Sequence, residues 1–378
     1  MTQATIGLNL LYLAPGDTGG TEIYARALVP ELVRAWPDAS WVVFASREAA
    51  RDWRAAPWAP GVRLVGLPVS GRSRVRRVLA EQTLLPVAAL RYRIDLLHSL
   101  ATTQPILAPG LRTVTTIHDV IYRRHPDAHV GILTHGMAAL VPLAAHRADR
   151  VITISQAAAR DIGAFLRLAP EKIDVIPEGP GMEPGVAPTP EDELRARLEL
   201  GAAPLVFSPS AKRPHKNLAR LIEAMAFVPG ATLVIPGYWN AHEDELRTLA
   251  AARGLGEHVR FPGWVSDADL EGLYAACRCV CLPSLAEGFG LPVLEAMRRG
   301  VPVACADATA LPEVAGGAAL LFDPYDVAAI ADAVTRLLGD PALRDDLTRR
   351  GRERAAEFTW QRTATQTVAT YRRVLASS

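Results

Sequence analysis

The sequence predicts an α/β protein built of two doubly wound, Rossmann-like domains. Both halves alternate short apolar runs with helical patterns, which is typical of a parallel sheet with helices on both faces. A segment rich in glycine, proline and acidic residues, 179–192, separates the halves as a domain linker does. The length of 378 residues also favours two domains.

Composition and charge exclude several classes of protein. The chain is 49% hydrophobic and carries a net charge of +1, so it is globular and not a dedicated nucleic-acid binder. Residues up to Glu178 hold 20 Lys and Arg against 15 Asp and Glu, whereas the remainder holds 21 against 25. An anionic or membrane-facing partner would therefore meet the first half. The start of the chain shows no export signal and the apolar runs are too short to span a bilayer, so a cytoplasmic protein is expected.

The first half begins with a strand and a glycine-containing loop. We expect strands at 6–10, 41–46, 62–68, 95–100, 112–119, 149–155 and 172–177. Gly19 and Gly20 lie in the loop after the first strand, and a helix is expected to start at Thr21 with Glu22 in its first turn. The loop alone is equally typical of a flexible turn before a helix.

One stretch of the first half, Ser70–Arg93, is strongly basic. It has a single acid, Glu81, and apolar residues at 79, 84, 85 and 87, with arginines at 72, 74, 76, 77, 91 and 93. Such a segment can lie on an anionic membrane surface or bind an anionic acceptor. The alternative is a solvated basic helix whose apolar residues face the core.

Polar residues close two of these strands. His118 and Asp119 end the strand 112–119, where ligands of open parallel sheets bind. Ser155 is expected to cap the following helix.

The second half repeats the pattern. We expect strands at 205–210, 232–237, 259–265, 279–283, 301–306 and 319–322, then a charged helix at 343–357 and a last helix ending at 375. Asp267 and Asp269 match a metal-binding D-x-D pattern, but acids at a helix start suit the helix dipole without further function. The alternating Cys277, Cys279 and Cys281 are interpreted as small apolar fillers of one strand face, because zinc ligands are usually spaced further apart.

The stretch Ser284–Met297 combines features of an anion site and a sugar site. Gly288 and Gly290 allow a tight turn after a buried strand, and a helix over 293–299 is expected to follow. A free helix N-terminus favours phosphate, while the carboxylates of Glu287 and Glu295 accept hydrogen bonds from hydroxyls. The ligand would be both a phosphate and a sugar.

The motif E-G-F-G-L-P-V-L-E resembles the E-x7-E signature of glycosyltransferase family 4, retaining enzymes of the GT-B fold that use nucleotide-sugars. The resemblance implies two domains that face each other across a cleft. It divides the chain into an acceptor-side domain, 1–178, a linker, 179–192, a nucleotide-sugar domain, 193–360, and a last helix, 361–378, that crosses back to the first domain.

The resemblance also implies roles for individual residues. The catalytic positions are His118, which would hold the donor sugar, Glu287, which would bind its hydroxyls, and Lys216, which would bind the diphosphate. Further donor contacts are implied at Gly19, Gly20, Arg213, Gly237, Val265, Gly288, Phe289, Gly290, Leu291 and Glu295. Acceptor contacts are implied at Glu22, Tyr24, Arg123 and Arg124, with His125 beside them.

Two departures from the family leave alternatives open. Glu178-Gly179 stands where relatives have asparagine-glycine, so a contact from an asparagine is lost. The arginine that pairs with the phosphate-binding lysine usually lies further upstream, so Arg213 takes that place with Lys212 as a rival.

The implied reaction moves a hexosyl group, with a weak preference for mannosyl, from GDP-mannose or UDP-glucose to a hydroxyl acceptor. No cofactor and no metal are expected. The acceptor can be a sugar, a lipid-linked molecule or a small aglycone, and contact with an anionic membrane at its inner face is one option. A nucleotide-sugar epimerase or phosphorylase, or a non-catalytic sugar-binding protein, are the alternatives.

Overall fold

The computed structural model describes residues 3–16, 19–124, 132–181 and 185–377, with 132–138 by backbone alone. The described residues form two compact units. Unit 1 contains the chain up to Arg124, residues 132–179 and the end of the chain from Phe358, and unit 2 contains the described residues of Pro180–Glu357.

Unit 1 is built on a parallel sheet. Its strands are β1 Thr5–Leu10, β2 Ser40–Ala45, β3 Arg63–Gly66, β4 Leu96–Ser99, β5 Arg112–Thr116, β6 Arg150–Thr153 and β7 Ile173–Val175. They lie in the order β3-β2-β1-β4-β5-β6-β7. Its helices are α1 Gly20–Ala35, α2 Arg47–Trp53, α3 Arg74–Arg91, α4 Ile121–Arg124, α5 Ile132–Arg147 and α6 Gln156–Leu166.

Unit 2 repeats the architecture with a second parallel sheet. Its strands are β8 Leu205–Phe207, β9 Thr232–Val234, β10 Val259–Arg260, β11 Cys277–Leu282, β12 Val303–Ala306 and β13 Leu320–Phe322, in the order β10-β9-β8-β11-β12-β13. Its helices are α7 Glu191–Arg197, α8 Leu218–Met225, α9 Ala241–Ala252, α10 Asp267–Ala276, α11 Leu291–Arg298, α12 Leu311–Ala315, α13 Val327–Gly339 and α14 Pro341–Ala356. The last helix, α15 Trp360–Ala376, belongs to unit 1, where it packs on α1.

Both sheets are doubly wound, which confirms the predicted fold class. In unit 1 the strand order reverses between β1 and β4, which pair in parallel with Ile6 opposite Leu96. In unit 2 it reverses between β8 and β11, where Val280 lies opposite Phe207. Ligands of such sheets bind beyond the carboxyl ends of strands at this reversal. The fold therefore marks one crevice in each unit.

The predicted strands are generally too long at their carboxyl ends. The strand expected at 259–265 pairs only at Val259 and Arg260, and the one at 112–119 ends at Thr116. Phe261 and Ile117, just beyond these points, are buried in loops, where burial without pairing produces the same sequence pattern as a strand. The helix expected from Thr21 begins at Gly20, with Gly19 at φ 58° before it.

Several smaller predictions hold. Ser155 caps α6 by accepting the N–H of Ala158 at 3.0 Å. Cys279 and Cys281 are fully buried on β11, as apolar fillers would be, and Cys277 is half-buried with its thiol on the Tyr274 carbonyl.

His98 joins the sheet of unit 1 to α15. Its Nδ1 lies 2.5 Å from the Tyr371 hydroxyl and its Nε2 lies 2.8 Å from Thr116 Oγ1. Burial, together with the nearby His118, lowers the pKa of His98 to about 3. The ring is therefore neutral in the folded protein at ordinary pH.

This histidine makes unit 1 sensitive to acid. Between pH 6.5 and 3 the unfolded chain binds a proton at His98 that the folded chain does not, so stability falls as the pH falls. We expect the slope of unfolding free energy against pH between 6.5 and 5 to be lower by up to about 1.4 kcal/mol per unit in His98→Asn than in the wild type. Urea denaturation at several pH values measures it, and equal slopes would contradict the assignment.

Candidate active site

Two loops meet at the strand reversal of unit 2. One follows β8 and ends in a short 3-10 turn, Pro214–Lys216, and the other follows β11. The Leu285 N–H donates to the His215 carbonyl at 2.8 Å. Asn217 adopts the left-handed conformation at φ 58°, which asparagine tolerates, and its amide donates to the carbonyls of Pro283 at 3.0 Å and Pro324 at 2.8 Å. The two loops are thus held together by hydrogen bonds to backbone carbonyls, donated by the Leu285 N–H and by the Asn217 side chain.

This arrangement brings two predicted residues into contact. Lys216 Nζ lies 2.6 Å from Glu287 Oε1, and the side chains are only 17% and 11% exposed. The Glu287 N–H donates to Thr309 Oγ1 at 2.9 Å, and Thr309 itself adopts a positive φ of 49°. A cation that suits phosphate and a carboxylate that suits hydroxyls therefore lie side by side.

The glycine turn then leads into a helix N-terminus. Gly290 has a φ of 111°, and a Cβ there would lie 2.8 Å from a methyl carbon of Leu311, so only glycine fits. Helix α11 begins at Leu291, two residues earlier than predicted, with Pro292 in its first turn and no side-chain cap. The predicted strand, glycine turn and helix start are present, with Phe289 buried beside them.

Glu295 lies one turn into α11. Its Oε2 accepts the Tyr274 hydroxyl at 3.1 Å, and a Cβ at Gly181 would collide with its Oε1. The side chain is half-buried, so the carboxylate lies close to the backbone of the predicted linker.

Lys212 is part of the interior of unit 2. Its side chain is fully buried, forms an ion pair with Glu243 at 2.8 Å and donates to the Gly237 carbonyl at 2.6 Å. Lys212 is therefore engaged by groups of the protein itself, and Arg213 is the other predicted candidate for the phosphate. Arg213 is exposed.

Lys212 also supports the loops after β9 and β10. The Gly237 N–H donates to the Gly263 carbonyl at 2.7 Å, and Gly237 has a φ of 114°. The exposed rings of Tyr238 and Trp264 stack with centroids 4.6 Å apart. Val265, the predicted base contact, is half-buried next to Trp264.

His118 lies in unit 1, after β5. Its Nε2 lies 3.3 Å from the Leu100 carbonyl, so this nitrogen carries the proton and donates, and Nδ1 is left as an acceptor. The Tyr24 ring packs edge-on against it at 4.7 Å, and Trp360 packs on the other side of Tyr24 at 5.6 Å. Burial lowers the pKa of His118, so the ring is neutral at ordinary pH. Tyr24, a predicted acceptor contact, is buried and orients this histidine.

Glu178 is a feature of unit 1 that the sequence did not single out for function. Its side chain is 4% exposed, and burial, with the charge of Asp119, raises its pKa to about 8. A carboxyl group thus lies near the His118-Asp119 step at the position where relatives have asparagine. Only the departure from the asparagine-glycine pattern drew attention to it.

The remaining predicted residues of unit 1 lie on loops and short helices. The carboxylate of Glu22 accepts the Gly16 N–H at 2.9 Å and pairs with Arg26, so it holds the glycine loop that contains Gly19 and Gly20. Arg124 is exposed and pairs with Asp161 at 2.5 Å, and Arg123 is exposed beside the Tyr122 ring. His125 lies outside the described residues.

The D-x-D match is a helix start, as interpreted from the sequence. Ser266 caps α10 by accepting the Asp269 N–H. The Asp269 carboxylate accepts the Thr189 hydroxyl at 2.7 Å and pairs with Arg197. These contacts join α10 to α7 and account for Asp269, while Asp267 is exposed in the first turn of α10.

Comparison with known families matches both halves of the chain. Residues 190–354 match the model of glycosyl transferases group 1, and residues 18–180 match the model of Glycosyltransferase Family 4. The site in unit 2 and the His118 group in unit 1 thus fall within two separate family models.

Individual proteins give the same result. The chain is 33% identical over 276 residues to the O-antigen chain mannosyltransferase B of Escherichia coli, covering 69% of this chain and 70% of that protein. It is 33% identical over 285 residues to the MMP alpha-(1->4)-mannosyltransferase of Mycolicibacterium hassiacum, covering 71% of this chain and 66% of that protein. The structure of Anabaena Alr3699/HepE in complex with UDP and glucose has the same fold, with a TM-score of 0.72, 22% identity and full coverage of both chains. The chain therefore belongs to the family 4 glycosyltransferases and is a glycosyltransferase of the GT-B fold.

Proposed function

We propose that this enzyme transfers a mannosyl group, with retention, from GDP-mannose to a hydroxyl of a growing saccharide. The contact that carries the proposal is the ion pair of Lys216 with Glu287 at the strand reversal of unit 2. The preference for mannose rests on the two mannosyltransferases to which the chain is similar. UDP-glucose is the second candidate, since a protein of the same fold has been solved with UDP and glucose.

In this proposal the bound donor separates Lys216 from Glu287, because each side chain binds a different part of the donor. The diphosphate would take Lys216, Arg213 and the backbone N–H groups at the start of α11, from Phe289 to Leu291. The sugar hydroxyls would take Glu287. Lys216 and Glu287 would each have partners on the donor, so breaking the ion pair would leave neither buried side chain without one.

The other predicted contacts follow the same proposal. Glu295 would bind the ribose hydroxyls, and Gly237 and Val265 would flank the base. From unit 1, Nδ1 of His118 would accept a hydroxyl of the sugar, and the loop of Gly19 and Gly20 would approach the diphosphate.

Charge builds on the leaving diphosphate as the glycosidic bond breaks. Lys216 and the N-terminal amides of α11 are fixed before the reaction, so they stabilise this charge without reorganising. The diphosphate oxygen would take the proton of the acceptor hydroxyl. We further propose a cytoplasmic protein that reaches a lipid-linked acceptor from the inner face of a membrane.

A donor screen tests the proposal. GDP-mannose should raise the unfolding midpoint and support transfer to a mannose-terminated acceptor, because a ligand that binds only the folded state stabilises it. Activity should be unchanged in EDTA, since Asp269 is held by Thr189 and Arg197 and Asp267 lies in the first turn of a helix, where an acid suits the dipole. Transfer only from UDP-glucose would correct the sugar, and activity lost in EDTA and restored by manganese would contradict the interpretation of the aspartates. Conversion of the donor to a new nucleotide-sugar without acceptor would indicate an epimerase.

A further inference from the structure

Helix α3 carries aliphatic side chains on the side that faces away from its unit. Val75, Leu79, Val87 and Leu90 are 62%, 59%, 64% and 71% exposed. Surface helices normally direct such residues to the core and polar residues to water. The exposed side of α3 departs from this rule and indicates a partner.

The opposite side of α3 already packs on the sheet. Glu81, Leu85, Ala88 and Ala89 are buried, and Leu85 and the alanines belong to the apolar core of unit 1. At 100° per residue these positions cluster on one side of the helix, and Val75, Leu79 and Leu90 cluster on the other. The exposed aliphatic residues thus remain outside a core that is complete without them. Leu107, 82% exposed, extends the apolar surface, since its loop is joined to α3 by the Ile106 N–H and Gln82 Oε1 at 2.9 Å.

The charges around this face have one sign. Arg74, Arg76 and Arg91 are exposed on α3. The one acid between Ser70 and Arg93, Glu81, is 4% exposed and accepts from Asn9 at 3.0 Å and Thr103 at 3.2 Å, so it points into unit 1. Arg77 also points inward, because its guanidinium donates to the Tyr12 carbonyl and is largely buried.

We propose that this face of α3, the membrane face, docks on the surface of an anionic lipid bilayer. Its residues are Val75, Leu79, Val87, Leu90 and Leu107 with Arg76 and Arg91, whereas Arg74, at the start of the helix, lies on the other side. The aliphatic side chains would enter the acyl boundary while the arginines reach the phosphates of the headgroups, as in helices that lie in the membrane interface. None of the helices in the described parts of the chain is both long and apolar enough to span a bilayer.

A second copy of the chain is a poorer occupant of this face. A symmetric dimer through α3 would place arginines of one copy against arginines of the other, and like charges in an interface are costly. An anionic bilayer provides the opposite charge and an apolar layer together. The inference goes beyond the transfer reaction and does not depend on which sugar is transferred.

Vesicle sedimentation tests the proposal. The full-length protein should bind vesicles of phosphatidylglycerol and phosphatidylcholine at low salt, bind poorly to phosphatidylcholine alone, and dissociate as salt rises. Replacing both Arg76 and Arg91 by glutamine should lower the partition coefficient on the order of 25-fold, since each basic residue near an anionic surface adds about fivefold.

Matched variants separate a surface effect from a folding defect. A variant in which Arg51 and Arg160 are replaced by glutamine loses the same charge from other exposed positions of unit 1 and should bind as the wild type does. A variant with serine at Leu79, Val87 and Leu90 should lose vesicle binding. A variant with methionine at the same three positions should keep it. Every variant should retain the wild-type unfolding midpoint and donor hydrolysis.

Two outcomes would overturn the proposal. One is wild-type protein left in the supernatant with phosphatidylglycerol vesicles at low salt. The other is a concentration-dependent dimer, seen by sedimentation velocity, that the serine variant abolishes while vesicle binding persists. Neither outcome would contradict the proposed transfer reaction, because that reaction is measured with a water-soluble acceptor.

Discussion

Replacing Glu287 by glutamine should lower turnover by roughly 10- to 100-fold while the protein stays folded. Hydrogen bonds to a charged acceptor contribute about 1.5–3 kcal/mol, and the amide keeps the shape of the side chain but not its charge. The amide also cannot neutralise Lys216, which lies 2.6 Å from the carboxylate. Initial rates with the preferred donor, fitted for kcat and KM separately, measure the effect.

Two further variants locate the effect in the site. Lys216→Ala should raise the KM for the donor and lower kcat, because the cation would bind the diphosphate before and during the reaction. Glu245→Gln removes an exposed carboxylate of the same unit and should leave both constants unchanged. A Glu287→Gln enzyme with wild-type kcat and KM would show that the carboxylate does not touch the sugar.

Replacing Lys212 by methionine should cost about 3 kcal/mol of stability. The ion pair of Lys212 with Glu243 is almost fully buried, and removing one partner leaves the other charge in the interior. Arg247 also pairs with Glu243 at 2.7 Å, so the cost should lie at the lower end of the range of about 3–5 kcal/mol. Scanning calorimetry should show a decrease of roughly 6–12 °C in the unfolding midpoint of the affected transition.

A double variant identifies the cause. Changing Lys212 and Glu243 together to methionine removes both charges, and most of the lost stability should return, because apolar residues often replace a buried ion pair at little cost. Arg336→Met, at an exposed position of α13 in the same unit, should change the midpoint by about 2 °C or less, since surface substitutions usually change stability by at most ~0.5 kcal/mol. A single Lys212→Met variant as stable as the wild type would mean that the loop after β9 does not depend on this contact.

The fold and the loop of the active site could be predicted from the sequence because their signals are local. Buried parallel strands are continuous apolar runs, and their alternation with helices predicts a doubly wound sheet. The glycines around Phe289, with Pro292 after them, predict a turn and a helix start for steric reasons alone. Strand ends were predicted less well, since burial in a loop and burial in a sheet produce the same pattern.

The contacts within the site could be predicted only in part. The E-x7-E motif predicted Glu287 and Glu295 as ligand contacts, and the family resemblance predicted Lys216 as another. That Lys216 pairs with Glu287, 71 positions away, depends on β8 and β11 being neighbours in the sheet. The support that Thr309 gives to the Glu287 backbone has no signal in the sequence, because a threonine in a loop is typical of many surface turns.

Taken alone, the sequence determined the two doubly wound units, the glycine turn before α11 and the family to which the chain belongs. Only the tertiary structure decided which side of each charged or amphipathic segment faces inward. Lys212 belongs to a basic loop and yet is buried, because Glu243 on α9 lies opposite it. His98 is neutral because it is buried, and its ring contacts the hydroxyl of Tyr371, 273 positions later. The aliphatic residues of α3 point outward because the sheet already contacts the other side of the helix. In each case the deciding partner is distant in the chain, and burial, which changes both charge and exposure, is a property of the packed fold.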